Sequence, residues 1–281
     1  MRATHLKQFG FLSITGKDAI TFLQGYATCN LDHLSSNRAG LGAICNLQGR
    51  MVASFRVVKL ADGLLLRIHR DLVDKTSKFL GKYIVFSKAK MSDMSEIYAC
   101  YGVIGDVPGK QLPQINDVEM KNSNIVVKVS ETGPRFEIWA QQAVENTDNA
   151  FTVQIWQQAE INDGFAWVDA ANSDEHIPQM FNYHNIGGID FEKGCYLGQE
   201  IIARLEYRGK LKRKLHRGEA ASKVSSGDLL LSDKGKSLGT VVNVAHVDSR
   251  YPILAVLQNA GGDAIRANLE KGESILFSPV P

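Results

Sequence analysis

The chain has 281 residues, of which 44% are apolar and 22% charged, with a formal net charge of +2. That is enough for two or three modules with real cores, and it excludes a strongly basic nucleic-acid binder and a disordered polymer. The N-terminal segment lacks the apolar run of a signal peptide. No stretch approaches 18 uninterrupted apolar residues, so no membrane helix is expected. The four cysteines (Cys29, Cys45, Cys100 and Cys195) are far apart and form no C-x-x-C pair. Neither a zinc site nor a disulfide framework is expected, and a monomeric cytoplasmic protein with reduced thiols is the default.

In chain order, residues 9–16 alternate apolar and small side chains and read as a strand. A helix follows, with Ala19, Phe22, Leu23 and Tyr26 on one face and Thr15 with Asp18 as a capping pair. Residues 51–69 are two strand runs split by Asp62-Gly63, a hairpin signal. Leu72, Thr76, Phe79, Leu80 and Tyr83 share one face of a helix over 71–84. A strand is expected at 96–105, a turn-rich loop over 106–124, strands at 124–130 and 135–140, and a modest helix over 141–151. A short helix over 155–165 stops at Gly164. Strand and helix alternate without long parallel-type apolar runs, which argues for α+β. After about residue 217 only strand runs and turns remain, the pattern of a small β-barrel or sandwich.

The densest chemistry lies at 193–200, "KGCYLGQE". Cys195 sits among glycines, just before a helical "LGQEIIARL" with Ile201, Ile202 and Leu205 facing inward. Unpaired N–H groups at a helix N-terminus favour a thiolate, and Lys193 would add a cation. Isolated cysteines are most often small packing residues, so the loop alone does not make the thiol reactive. From Arg204 to Arg217 there are seven Lys/Arg and one acid, Glu206. Such a run is either a solvated edge or a site for carboxylates or phosphates, and Tyr207 within it also suits single-stranded RNA. His176 and His184 are eight residues apart, which is not a usual metal pair. No metal is expected.

The segment "FNYHNIGGIDFEKGCYLGQEIIARLEYRGKLKRKL" closely resembles the signature of the YgfZ family, folate-binding proteins related to the T-protein (aminomethyltransferase) of the glycine cleavage system. "ITGKDAITFLQG", "LGKYIVFSKAKMSD" and "INDGFAWVDAANSDEHIPQMFN" also look like that family. The resemblance covers most of residues 9–217, and the bacterial tRNA-modifying members are the nearest match.

The resemblance implies an α+β fold arranged as a three-module ring. Residues 1–45 and 95–210 would form a discontinuous first domain, 46–94 an inserted α+β domain, and 211–281 a C-terminal β-barrel. Tetrahydrofolate or a derivative would be the cofactor. The partners would be folate and iron–sulfur enzymes such as a tRNA methylthiotransferase, with direct tRNA contact open. Cys195 would be the functional thiol with Lys193 beside it. Trp156, Phe9, Tyr196, Gln199, Glu200, Arg204 and Arg208 would belong to the folate site, with Phe9 where many members carry a tryptophan. Leu197 departs from the family's usual threonine. No counterpart of the T-protein's catalytic aspartate is identified, Asp71 and Asp74 being candidates by position only. A folate-dependent aminomethyl- or methyltransferase is the alternative, and an RNA-binding module built on 204–217 a third reading.

Overall fold

The computed structural model describes residues 3–105, 112–121, 123–141, 151–258, 264–270 and 272–280. Among them lie two five-stranded sheets and a closed six-stranded barrel, with antiparallel pairing throughout. The first sheet runs in the order Gly40–Cys45, Met51–Leu60, Gly63–His69, Phe9–Thr15, Lys90–Asp93. The second runs Ala3–His5, Ala99–Ile104, Arg135–Ala140, Asn124–Lys128, Val118–Lys121. The barrel closes through Arg213–Ala220, Tyr251–Gln258, Ser237–Val244, Leu229–Leu231, Ile265–Leu269 and Ser274–Pro279.

The first sheet is buried on both faces because its strands are apolar at successive positions. Leu12, Ile14, Leu64 and Leu66 face α1 (Ala19–Gln24) and α2 (Val73–Ile84). Phe9, Phe11 and Leu65 point the other way, into a core shared with Cys100, Val127 and Trp139 of the second sheet and Val242 and Leu254 of the barrel. The period-two alternation of the strands thus feeds two separate cores. Segment 46–94, expected as an inserted module, shares its sheet with Phe9–Thr15 and Gly40–Cys45. By hydrogen bonding, the first sheet therefore draws on residues 9–93 and the second on 3–5 and 99–140.

Several local expectations shift. Asp18 is the residue that precedes α1, but its carboxylate accepts from the backbone N–H of Lys88 at 2.8 Å and makes no cap bond to its own helix. The expected loop 106–124 contains strand Val118–Lys121, a short charged edge that pairs with Asn124–Lys128. The helix expected over 141–151 falls almost wholly outside the described residues. α3 (Val153–Asn162) is capped by the Thr152 hydroxyl accepting from the N–H of Ile155, and Gly164 follows it with φ +69°. Further along the chain, α4 (Gln199–Arg208) buries only Ile202, while Ile201 and Leu205 are half-buried. No helix among the described residues is long and apolar enough to cross a membrane.

Candidate functional site

Two features stand apart: a cavity where the three modules meet, and the thiol loop on the outer side of the first sheet. The cavity has a volume of about 300 Å³. Phe9 and His69 reach it from the first sheet, and Gln157, Glu160 and Ile161 from α3. Phe165, Trp167 and Asp169 reach it from the segment after Gly164, and Ser225, Ser226, Asn243 and Val244 from the barrel module. The Trp167 backbone is held from both sides by one side chain, since its N–H donates to Asn243 Oδ1 at 2.9 Å and its carbonyl accepts from Asn243 Nδ2 at 3.1 Å. The barrel thereby fixes the ring that closes the cavity.

Behind this wall lies a water-excluded charge layer. Arg67 donates from Nε and Nη2 to the two carboxylate oxygens of Glu137, at 3.1 and 2.7 Å. Its guanidinium is clamped between the rings of Phe9 and Trp167, 3.8 and 3.9 Å from their centroids. The Trp139 indole donates to Glu137, and the Trp167 indole donates to Glu160 Oε1 at 2.9 Å. Burial pushes both carboxyls up, but they end apart. For Glu137 the pull of Arg67 and Arg56 prevails and holds it below the usual range, whereas Glu160 stays above it. Opposed environments of this kind separate an ionised group from one able to hold a proton. Asp169 is likewise raised by burial, against a hydrogen bond from Ser226, and His69 is lowered by burial. On the cavity wall, Gln8 Nε2 and His69 Nδ1 are buried without a hydrogen-bond partner.

Of the sequence candidates, the structure brings Phe9 to this cavity and leaves Trp156 out of it. Trp156 is fully buried in the shared core, stacked under Arg135 and against Gly102, whose Cβ, if present, would lie 2.5 Å from the indole. The indole at the cavity is Trp167, three residues after Gly164, within the aromatic-rich "GFAW". A helix period fitted to 155–165 ends before it, so sequence reasoning passed over it.

A second cavity of about 320 Å³ is lined by Arg56, Asn116, Ser130, Asp163, Phe165 and Asn185 among others. Phe165 lines both cavities.

The thiol loop is built on the turns at 24–29 and 46–50. Leu197 N–H donates to Gly25 O, and Asp190 N–H to Thr28 O. Gly198 has φ +83°, and a Cβ there would meet Asn46 O at 2.5 Å, so the loop can seat on that turn only with glycine. Cys195 is exposed, while Cys29, Cys45 and Cys100 are buried. It lies just ahead of α4, as expected. Lys193 is not beside it in effect. The lysine is buried, and its ammonium donates to the carbonyls of Gln24, Ala27 and Cys29 at 2.7, 2.7 and 3.0 Å. Tyr196 packs its ring under that ammonium, 5.0 Å away, and is itself buried. Lys193 therefore holds the loop and leaves the thiol to solvent. Gln199 is half-buried, and Glu200, Arg204 and Arg208 are exposed on α4. None of these α4 residues, nor Lys193, Cys195 or Tyr196, lines either cavity. Asp71 and Asp74 are at the surface, near His69 and Lys78 respectively, and line neither cavity. No group of three His, Cys, Asp or Glu among the described residues is placed to hold a metal.

No family model matches the chain. It is 30% identical over an alignment of 300 positions to the tRNA-modifying protein YgfZ of Yersinia pseudotuberculosis and to that of Yersinia pestis, covering 98% of this chain and 91% of each relative. The YgfZ of Vibrio atlanticus is 28% identical over 299 positions, covering 99% of this chain and 90% of the relative. Among solved structures, the glycine cleavage system aminomethyltransferase T of Bartonella henselae superposes with a TM-score of 0.77 at 12% identity, over 99% of this chain and 84% of that one. The shared architecture is the T-protein fold of two α+β modules and a C-terminal barrel, and the chain belongs to the YgfZ family.

Proposed function

We propose that this chain is a tRNA-modifying protein of the YgfZ type that binds tetrahydrofolate or a derivative in the first cavity. It would act through Cys195 in the maturation or repair of iron–sulfur enzymes such as a tRNA methylthiotransferase. The observation that carries the folate reading is the makeup of the cavity. Aromatic walls from Phe9, Phe165 and Trp167 face a carboxyl, Glu160, whose pKa burial raises. Pterin rings offer flat π-faces and an edge of alternating donors and acceptors, which such a wall and carboxyl match. Gln8 Nε2, which lacks a hydrogen-bond partner, would supply a further polar contact. A volume of about 300 Å³ suits a bicyclic head with the rest of the molecule extending outward. When bound, the folate would supply one-carbon chemistry. The chain's own residues would hold the ring, exclude water with Trp167 and Phe165, and place the Glu160 carboxyl against it.

A folate-dependent aminomethyltransferase is the second reading, favoured by the T-protein fold. Its carboxylate would be Glu160 or Asp169, since Asp71 and Asp74 are away from the cavity. The deciding experiment complements cells lacking this protein with wild type or Cys195→Ala at equal abundance and measures the methylthio content of tRNA. Restoration by wild type alone supports the thiol-dependent reading. Equal restoration by both removes Cys195 from it. Turnover of a one-carbon unit from tetrahydrofolate derivatives by the purified chain would favour the transferase instead.

A further inference from the structure

Arg56 is a buried cation without a direct ion pair; Glu137 and Glu160 attract it only at longer range. It sits on strand Met51–Leu60, 2% exposed, and among the described residues no carboxylate pairs with it. The nearby acids are already engaged, Glu137 by Arg67 and Trp139, and Glu160 by Trp167. Its Nη1 donates to the amide oxygen of Asn116, a neutral partner, and its Nε has no partner at all. Burial lowers its pKa to about 10, so it remains charged at neutral pH. The rings of Phe165 and Trp167 lie 5.8 and 6.0 Å from it, but a buried charge without a direct counter-ion is disfavoured.

The second cavity is lined by Arg56 together with Asn116, Asn185, Ser130 and Thr132. Asp163 is there too, but it is neutralised by Arg135 Nη2 at 2.7 Å and accepts from Ser130 and Thr132 at 2.9 Å each. We infer that the second cavity is a subsite for a singly charged carboxylate, which pairs with Arg56. A carboxylate matches the fork of a guanidinium. Glu131, which lines the same wall, disfavours the second negative charge that a phosphate would bring.

Two sources supply this chemistry: a free small carboxylate, or one of the two carboxylates on the glutamate tail of a folate whose head occupies the first cavity, the other remaining in solvent. The subsite does not depend on the folate reading, and the test keeps them apart. The full chain is titrated calorimetrically with L-glutamate, with 5-formyltetrahydrofolate, and with 5-formyltetrahydropteroate, which lacks the glutamate. Wild type is compared with Arg56→Met and Asn116→Asp. The second variant places a carboxylate where Arg56 already donates, at a position whose φ of +67° aspartate tolerates. It is expected to melt at or above the wild-type temperature while losing the subsite, so a folding failure of Arg56→Met does not obscure the result.

If the carboxylate is free, L-glutamate binds wild type and weakens about tenfold or more in Asn116→Asp, the worth of a charge-assisted hydrogen bond. If it is the folate tail, wild type prefers 5-formyltetrahydrofolate over the pteroate by a similar factor, and Asn116→Asp does not. Glutamate binding without any pteroate binding would sink the folate reading and leave the subsite standing. The subsite is overturned if wild type shows neither glutamate binding nor a tail preference, or if Asn116→Asp keeps either one unchanged.

Discussion

The ammonium of Lys193 lies 2.7 Å from the carbonyl oxygen of Ala27, and the same group serves Gln24 and Cys29. A lysine in the middle of a family signature is thus a clasp between the thiol loop and the turn after α1. Burial depresses its pKa to about 8, so at neutral pH the clasp is largely charged. Lys193→Met would leave three carbonyls without their donor. The expected cost is about 2–4 kcal/mol, the range for losing buried charge-assisted bonds. The loop should loosen before the rest of the fold. Limited proteolysis should then cut within 190–198 in the variant and not in wild type. Equal protease resistance in both would mean that the loop is held by its glycine contacts alone.

Thiol accessibility gives a second expectation. Burial pushes Cys29 up to about 12 and Cys45 and Cys100 well above the ordinary thiol range, while Cys195 is exposed. Brief iodoacetamide treatment of the native chain should add one carbamidomethyl group, mapped to Cys195 by mass spectrometry, and four after unfolding in urea. Cys195→Ala should change the melting temperature little, because surface substitutions cost within about 0.5 kcal/mol. A native chain that takes up no label would contradict the exposed position.

The two tryptophans of the 156–167 stretch should behave oppositely. Trp156→Phe removes indole from the shared core at a cost of about 1–3 kcal/mol, with folate affinity retained. Trp167→Ala removes a cavity wall and one face of the Arg67 clamp, so folate binding should fall about tenfold or more. Intrinsic fluorescence titration with 5-formyltetrahydrofolate measures both. If Trp156→Phe loses binding and Trp167→Ala keeps it, the ligand is elsewhere than the first cavity.

The contrast shows where sequence patterns carry information and where they do not. Hairpins such as 51–69 and the barrel were legible because their signals are local: alternation, and turn residues at fixed spacing. The thiol loop was legible because glycines and a lone cysteine are rare enough in eight residues to stand out. The module boundary at 46 was not, since nothing in the run from Gly40 to Leu60 tells that both strands join one sheet. Trp156 lies within α3 and Trp167 beyond Gly164, and where each ring goes is decided by packing against Gly102 and Asn243, remote in sequence. Arg56 and Arg67 are single basic residues in apolar strands, and their pairing with Asn116 and Glu137 is a tertiary fact.

Acid sensitivity should centre on His176, which bridges two modules. Its carbonyl accepts from Met51 N–H at 2.8 Å, and its ring meets Thr240 of the barrel, with 3.4 Å between Nε2 and Oγ1. The residue is 4% exposed, and burial, helped by Arg213 and Arg50, lowers its pKa to about 4. In the unfolded chain an imidazole takes up its proton near pH 6.5. Between about pH 6.5 and 4 the unfolded state therefore binds more protons at this site, and stability falls as the pH falls. The loss approaches about 3 kcal/mol at the lower end. Above pH 6.5 the site contributes no pH dependence. Glu160 and Asp169, raised by burial, work in the opposite sense, because the folded state holds their protons more firmly. The total curve mixes these signs, so the difference between wild type and His176→Asn is the informative quantity. Urea unfolding at pH 7.5, 6, 5 and 4.5 should show the wild type losing stability relative to the variant at each step below 6.5. Parallel curves would mean that the buried imidazole already gains its proton in the folded state, and that the contact between Met51 and the barrel opens without unfolding.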